Sequence, residues 1–457
     1  MQLEKLDWDA IQQEALTLFK DLLRIDTTNP PGNERPAADL LAESLREDGI
    51  EPWIAESAPG RANLVARLPA NRESNLEPLL LAGHTDVVPA NADEWTHPPF
   101  AAVEADEMIW GRGAVDMKNM VAMSAMVIKV LARHPELPRH RDLIFAAVAD
   151  EEEGCAMGST WLVENHPERV KAEFMLGEVG GFWLNIGAKT YVPIMVAEKG
   201  RVHLRMRARG AAGHGSIPNE ESALVRLSRA IARLDKKRLP YRLTPVVETF
   251  IRRLAATQPM PDSAGLLGLL DRRTAPLVLK RLLPDRSQAR AFHAMLHNTA
   301  TPTIFNAGGK LNVIPDEATC DLDGRTLPGQ TAQDLAREVR EAIADPEIEV
   351  EILESSPPVV AEPMRSDLFA TIEHIVAREA PGVLPIPYMI TGFTDARAFH
   401  RLGMRCYGFS PLMLEPRHEL KFTELFHGVD ERAPVAGFAW GQKMLLEVVS
   451  AFLAKQG

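Results

Sequence analysis

Apolar and polar positions along the chain follow two rhythms. In the first 25 residues, Ile11, Ala15, Leu18, Phe19, Leu22 and Leu23 recur at helical spacing, which predicts an amphipathic helix. Short apolar runs follow: LVARL (64–68), LLLAG (79–83) and LIFAAVA (143–149). Each reads as a buried strand. Between them, MVAMSAMVIKVLARH (120–134) predicts a helix whose methionine-rich face core packing explains. Strand, helix and strand at this spacing predict an α/β layer with a mostly parallel sheet.

The rhythm changes near residue 193. RVHLRMRARG (201–210) alternates apolar and polar residues with period two, the mark of a half-exposed antiparallel strand. A helix is predicted over 221–237, strands near 303–308 and 317–323, a helix at 331–343 and a strand at 347–353. The arginine-rich stretch 245–298 is helical in pattern. This block reads as a small α+β domain, and ESSPPVV (354–360) as a linker. An α/β pattern then resumes, with a helix at 366–379, strands around 386–390 and 405–409, and a helix from 434 to 453. The expected organisation is a discontinuous first domain, residues 1–192 and 357–457, with residues 193–356 inserted into it.

Composition narrows the class. The 457 residues suffice for two domains, and 46% hydrophobic residues supply sizeable cores. A formal net charge of −12 and a pI near 5.6 argue against a nucleic-acid backbone binder, which shows a basic face. The three cysteines, Cys155, Cys320 and Cys406, are few and far apart. They form neither a disulfide framework nor a CxxC metal site, and favour a reducing, cytoplasmic compartment. The first residues carry acids and resemble no signal peptide. No unbroken run of about 18 apolar residues predicts a membrane span.

The candidate chemistry lies at the ends of the apolar runs. His84 and Asp86 close one, Asp116 stands in WGRGAVDMKN before a helix, and Asp150, Glu151, Glu152 and Glu153 close another. Glu178 follows FMLG, and His427 lies in FHGVDER ahead of the last helix. Open α/β sheets bind ligands at the carboxyl ends of their strands. Carboxylates gathered there without a clustered cation repel one another, and a bound divalent metal resolves the repulsion. Imidazole and carboxylate ligands without thiolate suit zinc, cobalt or manganese. One catalytic metal needs about three protein ligands and an open position, so five candidates point to two metals. Residues i and i+2 of a strand share a face, so Asp86 is placed to support the His84 imidazole rather than to ligate.

In that order the motifs GHTDVVP, W..PPF, GRGAVDMK, DEEEG, GHGSIP, KLNVIP and HGVDER, from about residue 80 to 432, resemble the M20 family of metallopeptidases and amidohydrolases. The family includes aminoacylase, acetylornithine and succinyl-diaminopimelate deacylases, and glutamate carboxypeptidases. The resemblance implies an α/β fold: a catalytic α/β/α domain with a zinc-peptidase-like mixed sheet, and an inserted α+β lid or dimerisation domain. It implies two divalent metal ions per chain, zinc first, with cobalt or manganese as alternatives. His84, Asp116 and Glu178 would hold one metal, Asp116, Glu152 and His427 the other, and Glu151 would be the general base. Two metals roughly 3.5–4 Å apart hold a bridging water and polarise a carbonyl. His214 would stabilise the oxyanion in the partner's site of a homodimer formed through the inserted domain. Arg325 would clamp a substrate carboxylate, and Asn312, Gly392 and Thr394 would contact substrate. Met117 stands where many relatives carry a second aspartate, and the bond before it is expected to be cis.

The leading expectation is a hydrolase cleaving an amide next to a free carboxylate, in a small peptide or an N-acyl amino acid, with no nucleic-acid or membrane partner. A non-catalytic homologue would lack Glu151 or a ligand, and none is missing. A scaffold would leave the acidic strand ends as solvated bystanders. Within the enzyme class, an acetylornithine or succinyl-diaminopimelate type of deacylase is the alternative.

Overall fold

The computed structural model describes residues 3–217, 220–282, 286–362 and 364–456. They form two compact units. Unit 1 runs to Val196 and resumes over Ala361–Tyr388 and from Thr394, while unit 2 is Ala197–Val360 with Met389–Phe393.

Unit 1 is built on a twisted sheet clothed by helices. Asp7 starts the first helix, Trp8–Arg24, by accepting a 3.1 Å hydrogen bond from the Ala10 amide. All six of its periodic apolar residues are buried. Phe19 stacks on Phe438 of the C-terminal helix Val435–Leu453 at 4.6 Å between ring centroids. Met120, Met123 and Met126 of helix Lys118–Arg133 are fully buried, as core packing requires.

The sheet is mixed rather than mostly parallel. Across it lie Trp53–Ala58, Arg61–Leu68, Leu143–Val148, Leu79–His84, Phe174–Gly177, Arg405–Gly408 and Lys189–Glu198. From Leu143–Val148 to Arg405–Gly408 every pairing is parallel. The flanks are antiparallel. On one flank a two-residue turn with Gly60 at φ 81° joins Trp53–Ala58 to Arg61–Leu68, too short for the crossover a parallel pair needs.

Unit 2 is a four-stranded antiparallel sheet in the order Thr299–Ala307, Glu317–Thr326, Gly200–Arg209, Glu349–Ser356. Strand Gly200–Arg209 buries Val202, Leu204, Met206 and Ala208, which pack with Leu227 of helix Ala223–Lys236 and Leu335 of helix Ala332–Ile343. The stretch 245–298 carries the helices Pro245–Ala255, Asp262–Leu267 and Arg286–Leu296. The segment read as a linker is partly strand: Glu349–Ser356 extends through it, and Val359–Val360 pairs with Ala197–Glu198. Only Pro357 and Pro358, which have no N–H to donate, interrupt the pairing. Among the described residues no helix is long and apolar enough to cross a membrane.

Candidate metal centre

Three parallel strands bring the acidic ends together. Leu79–His84 lies between Leu143–Val148 and Phe174–Gly177 and runs in their direction, so all three finish at one edge. His84 is the last residue of the middle strand, Glu178 follows the third directly, and the turn Asp150–Glu152 follows the second. This turn is not extended chain, so Glu151 and Glu152 are not held to opposite sides by strand geometry.

Asp116 is the centre of the cluster. It precedes helix Lys118–Arg133, and its peptide bond to Met117 is cis. Asp116 Oδ1 lies 3.2 Å from His84 Nε2, and Oδ2 lies 3.2 Å from His427 Nε2. His427 Nε2 is also 3.0 Å from Glu152 Oε2, and His84 Nε2 is 3.6 Å from Glu178 Oε2. Two ligand-atom groups are compact enough for a cation: His84 with Asp116 and Glu152, and His84 with Glu151 and Glu178. Met117 is buried, and its side chain packs at Gly83.

Asp86 ties two parts of the site together. His84 Nδ1 lies 2.9 Å from the Asp86 carbonyl, which can only accept, so Nδ1 donates and Nε2 faces the carboxylates. The Asp86 carboxylate accepts the backbone amides of Glu151 and Glu152 at 3.1 and 3.2 Å, and the Asn29 amide at 2.8 Å. Asn29 also donates to Asp150, which Arg61 holds at 2.8 Å. Beneath Asp116, the buried Glu431 carboxylate accepts from the amides of Gly113, Val115 and Asp116 and from Arg112 Nη1. Asn29 and Glu431 do not stand out in the sequence as site residues. Glu431 lies inside the HGVDER motif, which was its only signal.

The electrostatics are those of a cation site. Burial opposes the charged form of His84, yet hydrogen bonds to Asp116, Asp86 and Glu178 carry its pKa well above the ordinary value. Hydrogen bonds to Asp116 and Glu152 push His427 up to about 10. Burial works against the Asp116 carboxylate, and hydrogen bonds from His427 and His84 overcome it. Burial pushes Glu178 up to about 8 and raises Glu152 as well. Glu151 is raised far above the carboxylate range by burial and then by the charge of Glu178. Glu152 Oε1 and Glu178 Oε1 are buried with no hydrogen-bond partner among the described residues. Unpaired carboxylate oxygens beside crowded imidazoles fit hard or borderline divalent cations.

The remaining candidates lie elsewhere. His214 and Asn312 belong to unit 2 and come together there: His214 pairs with Val313 across a short antiparallel bridge, and Gly215 N–H donates to the Asn312 carbonyl at 2.9 Å. His214 is exposed, with Nδ1 2.8 Å from Ser216 Oγ. Arg325 lies on strand Glu317–Thr326, its fork on Asp323 at 2.8 and 3.2 Å. Gly392 is exposed and belongs to unit 2. Thr394 is buried in unit 1, where its hydroxyl accepts the Ala396 amide at 3.1 Å. The neighbouring Asp395 accepts a 2.5 Å hydrogen bond from Ser159, bracing the loop that carries Glu151.

That loop depends on Gly158. A Cβ there would lie 1.7 Å from the Ala149 carbonyl oxygen, so Gly158→Ala must push the backbone apart next to Asp150. A displacement near 1 Å at a reacting group costs about 10²-fold. Gly158→Ala is therefore expected to lower kcat/KM by about that factor. Steady-state kinetics and metal titration check this, and wild-type values in both would show that the loop yields without moving Glu151.

The chain matches the profile "Peptidase family M20/M25/M40" over residues 80–451. It is 28% identical over 393 residues to the human N-fatty-acyl-amino acid synthase/hydrolase PM20D1, covering 82% of this chain and 74% of that protein. To a probable carboxypeptidase S-like 2 of Dictyostelium discoideum it is 29% identical, covering 80% and 70%. The solved M20 family metallo-carboxypeptidase Sso-CP2 of Sulfolobus solfataricus superposes with a TM-score of 0.69 at 18% identity, covering 97% of this chain and all of that one. The mixed α/β sheet, the carboxylate–imidazole cluster at its edge and the matched profile lead to one conclusion: the chain belongs to peptidase family M20/M25/M40 and is a hydrolase of the metallopeptidase and amidohydrolase type.

Proposed function

We propose that this hydrolase cleaves an amide bond next to a free carboxylate, in N-acyl amino acids or small peptides, at a centre of two divalent cations. The observation that carries the reading is Asp116, whose two oxygens each face a different imidazole at 3.2 Å. His84, Asp116 and Glu178 would hold one cation, and Asp116, Glu152 and His427 the other. When bound, such a pair supplies Lewis-acid polarisation of the scissile carbonyl and acidifies water enough for attack near neutral pH.

The chain's own residues do the rest. Glu151 takes the proton of the attacking water and passes it to the leaving nitrogen. Glu151 is buried and forms one compact group with His84 and Glu178, which places its carboxylate beside the residues proposed to hold the cations. Asp86 keeps the Glu151–Glu152 turn and His84 in mutual register through its three contacts. His214 supplies an oxyanion donor to a second subunit, and Arg325 recognises the free carboxylate. One relative is named for N-fatty-acyl-amino acids and another as a carboxypeptidase, and an amide beside a carboxylate is common to both substrate types.

The test pairs elemental analysis of the purified protein with hydrolysis of N-acyl amino acids and dipeptides, with and without added zinc, cobalt or manganese. The expected result is about two metals per chain and cleavage that chelator abolishes and metal restores. A single metal with full activity would refute the two-cation centre. Cleavage of amides lacking a carboxylate at equal rates would refute the substrate class.

A further inference from the structure

The polar face of the unit 2 sheet is a charge ladder with one broken rung. On strand Gly200–Arg209, residues 201, 203, 205, 207 and 209 share a face. Each stands directly opposite a residue of Glu317–Thr326: Arg209 faces Glu317, Arg207 faces Thr319, Arg205 faces Asp321, His203 faces Asp323 and Arg201 faces Arg325. The first four rungs carry compensating partners. Arg205 grips Asp321 at 2.6 and 2.8 Å, His203 lies 3.1 Å from the same carboxylate, and Arg207 donates to Glu317 at 2.9 Å. The last rung sets two guanidiniums opposite each other, an arrangement that costs stability in a sheet.

The surroundings do not neutralise that rung. Arg201's other cross-strand neighbour is Ser356, and Arg325's is Thr299. Among the described residues Arg201 has no carboxylate partner within 4.0 Å, and Arg325 shares only Asp323. Arg325 Nη1 is buried without a hydrogen-bond partner among the described residues. Both guanidiniums reach one ring, with their central carbons 5.8 Å (Arg201) and 5.6 Å (Arg325) from the Phe393 centroid. Next in the chain, the buried Lys199 ammonium donates to the carbonyls of Ala294 and His297 at 2.9 Å each. Burial and then the charge of Arg325 lower its pKa to about 7, with Asp323 acting the other way.

We propose that Arg201 is a second carboxylate-recognition residue and forms with Arg325, about the Phe393 ring, a clamp for one monoanionic carboxylate. With the buried Lys199 drawn toward its neutral form, two guanidiniums against the single carboxylate of Asp323 leave about one positive charge, which matches a monoanion better than a phosphate dianion. The donors are available: among the described residues the Arg201 guanidinium has no carboxylate partner within 4.0 Å, and Arg325 has one buried N–H pair to offer. The link to catalysis rests on the substrate class proposed above, whereas anion binding by the clamp does not.

The experiment compares the metal-loaded wild type with Arg201→Gln and, as control, Arg205→Gln, which lies on the same face but is fully engaged by Asp321. One readout is the ratio of kcat/KM for N-acetyl-leucyl-leucine to that for its C-terminal carboxamide. The other is the melting temperature with phenylacetate, phenylacetamide or inorganic phosphate added. In Arg201→Gln the carboxylate preference is expected to fall by about tenfold or more, chiefly through KM, as for the loss of a charged hydrogen bond. Phenylacetate is expected to raise the melting temperature of wild type and Arg205→Gln but not of Arg201→Gln. Without ligand, Arg201→Gln is expected to melt no lower than wild type, since a like-charge rung has been removed. An undiminished phenylacetate shift in Arg201→Gln, or an equal loss in Arg205→Gln, overturns the clamp. A larger shift with phosphate than with phenylacetate overturns the monoanion assignment. If wild type cleaves neither substrate, the substrate class fails, and the melting shifts still decide the role of Arg201.

Discussion

Glu151→Gln is expected to lower kcat by about 10²–10⁴-fold or more while the protein keeps its full metal content. The amide has nearly the volume of the carboxyl, so the buried turn is left packed, and Asp86 still accepts the amides of residues 151 and 152. What disappears is the only function asked of Glu151, a proton taken from water and delivered to the departing nitrogen. Because both transfers depend on one group, the loss falls on kcat rather than on KM. The geometry also contains the rival outcome. Glu151 can join His84 and Glu178 in one compact ligand group. If Glu151 were a ligand instead, the variant would purify with less metal, and activity would return on adding metal in excess. Elemental analysis alongside single-turnover kinetics separates the two cases.

Many helices and strands could be read along the chain because they bury a periodic face or a whole apolar run: Ile11 to Leu23 at helical spacing, Val202 to Ala208 at every second residue, Leu79 to His84 throughout. Helix Arg35–Arg46 and strands Trp53–Ala58 and Lys189–Glu198 were not read. In the unit 2 sheet the alternation of RVHLRMRARG marked an antiparallel strand. On the flank of the unit 1 sheet direction could not be read, because a two-residue turn such as that before Arg61 reverses the chain with no apolar signature of its own. The residues that meet around Asp116 were nameable one by one, since each follows an apolar run or lies in a motif. Their partners were not. Asn29 and Glu431 stand 57 and 315 residues from the groups they bind, and a single polar residue in a loop carries no local sign of what it will face. The broken rung at Arg201 was invisible for the same reason. Strand RVHLRMRARG displays its arginines openly, but which of them lacks an acid opposite depends on the pairing register, and one residue of slip would change every rung.

Glu431→Ala is expected to cost about 3–5 kcal/mol of stability, the range for stripping one partner from a buried ion pair. Glu431 is fully buried, and its two oxygens take four donors: Arg112 Nη1 at 2.9 Å, and the amides of Gly113, Val115 and Asp116 at 2.9, 2.7 and 3.1 Å. Burial outweighs Arg112 and the amides, which favour the charged form, and leaves its carboxyl raised to about 7. Alanine leaves those donors facing a cavity, and the Arg112 guanidinium keeps a 3.4 Å hydrogen bond from Nη2 to the Pro89 carbonyl and the Trp95 ring, 5.1 Å away. The damage extends to the centre, because the loop held by Glu431 ends in Asp116. Metal affinity is therefore expected to fall together with the urea midpoint. Adding Arg112→Met supplies the control: it removes the stranded charge and fills part of the space, so stability is expected to recover while metal affinity stays low, since the amides before Asp116 remain unheld. Recovery of both would mean that Arg112, not the amide cradle, sets the position of Asp116. An unchanged urea midpoint in the single variant would mean that water replaces the carboxylate without penalty, and Glu431 would then have no structural hold on the centre.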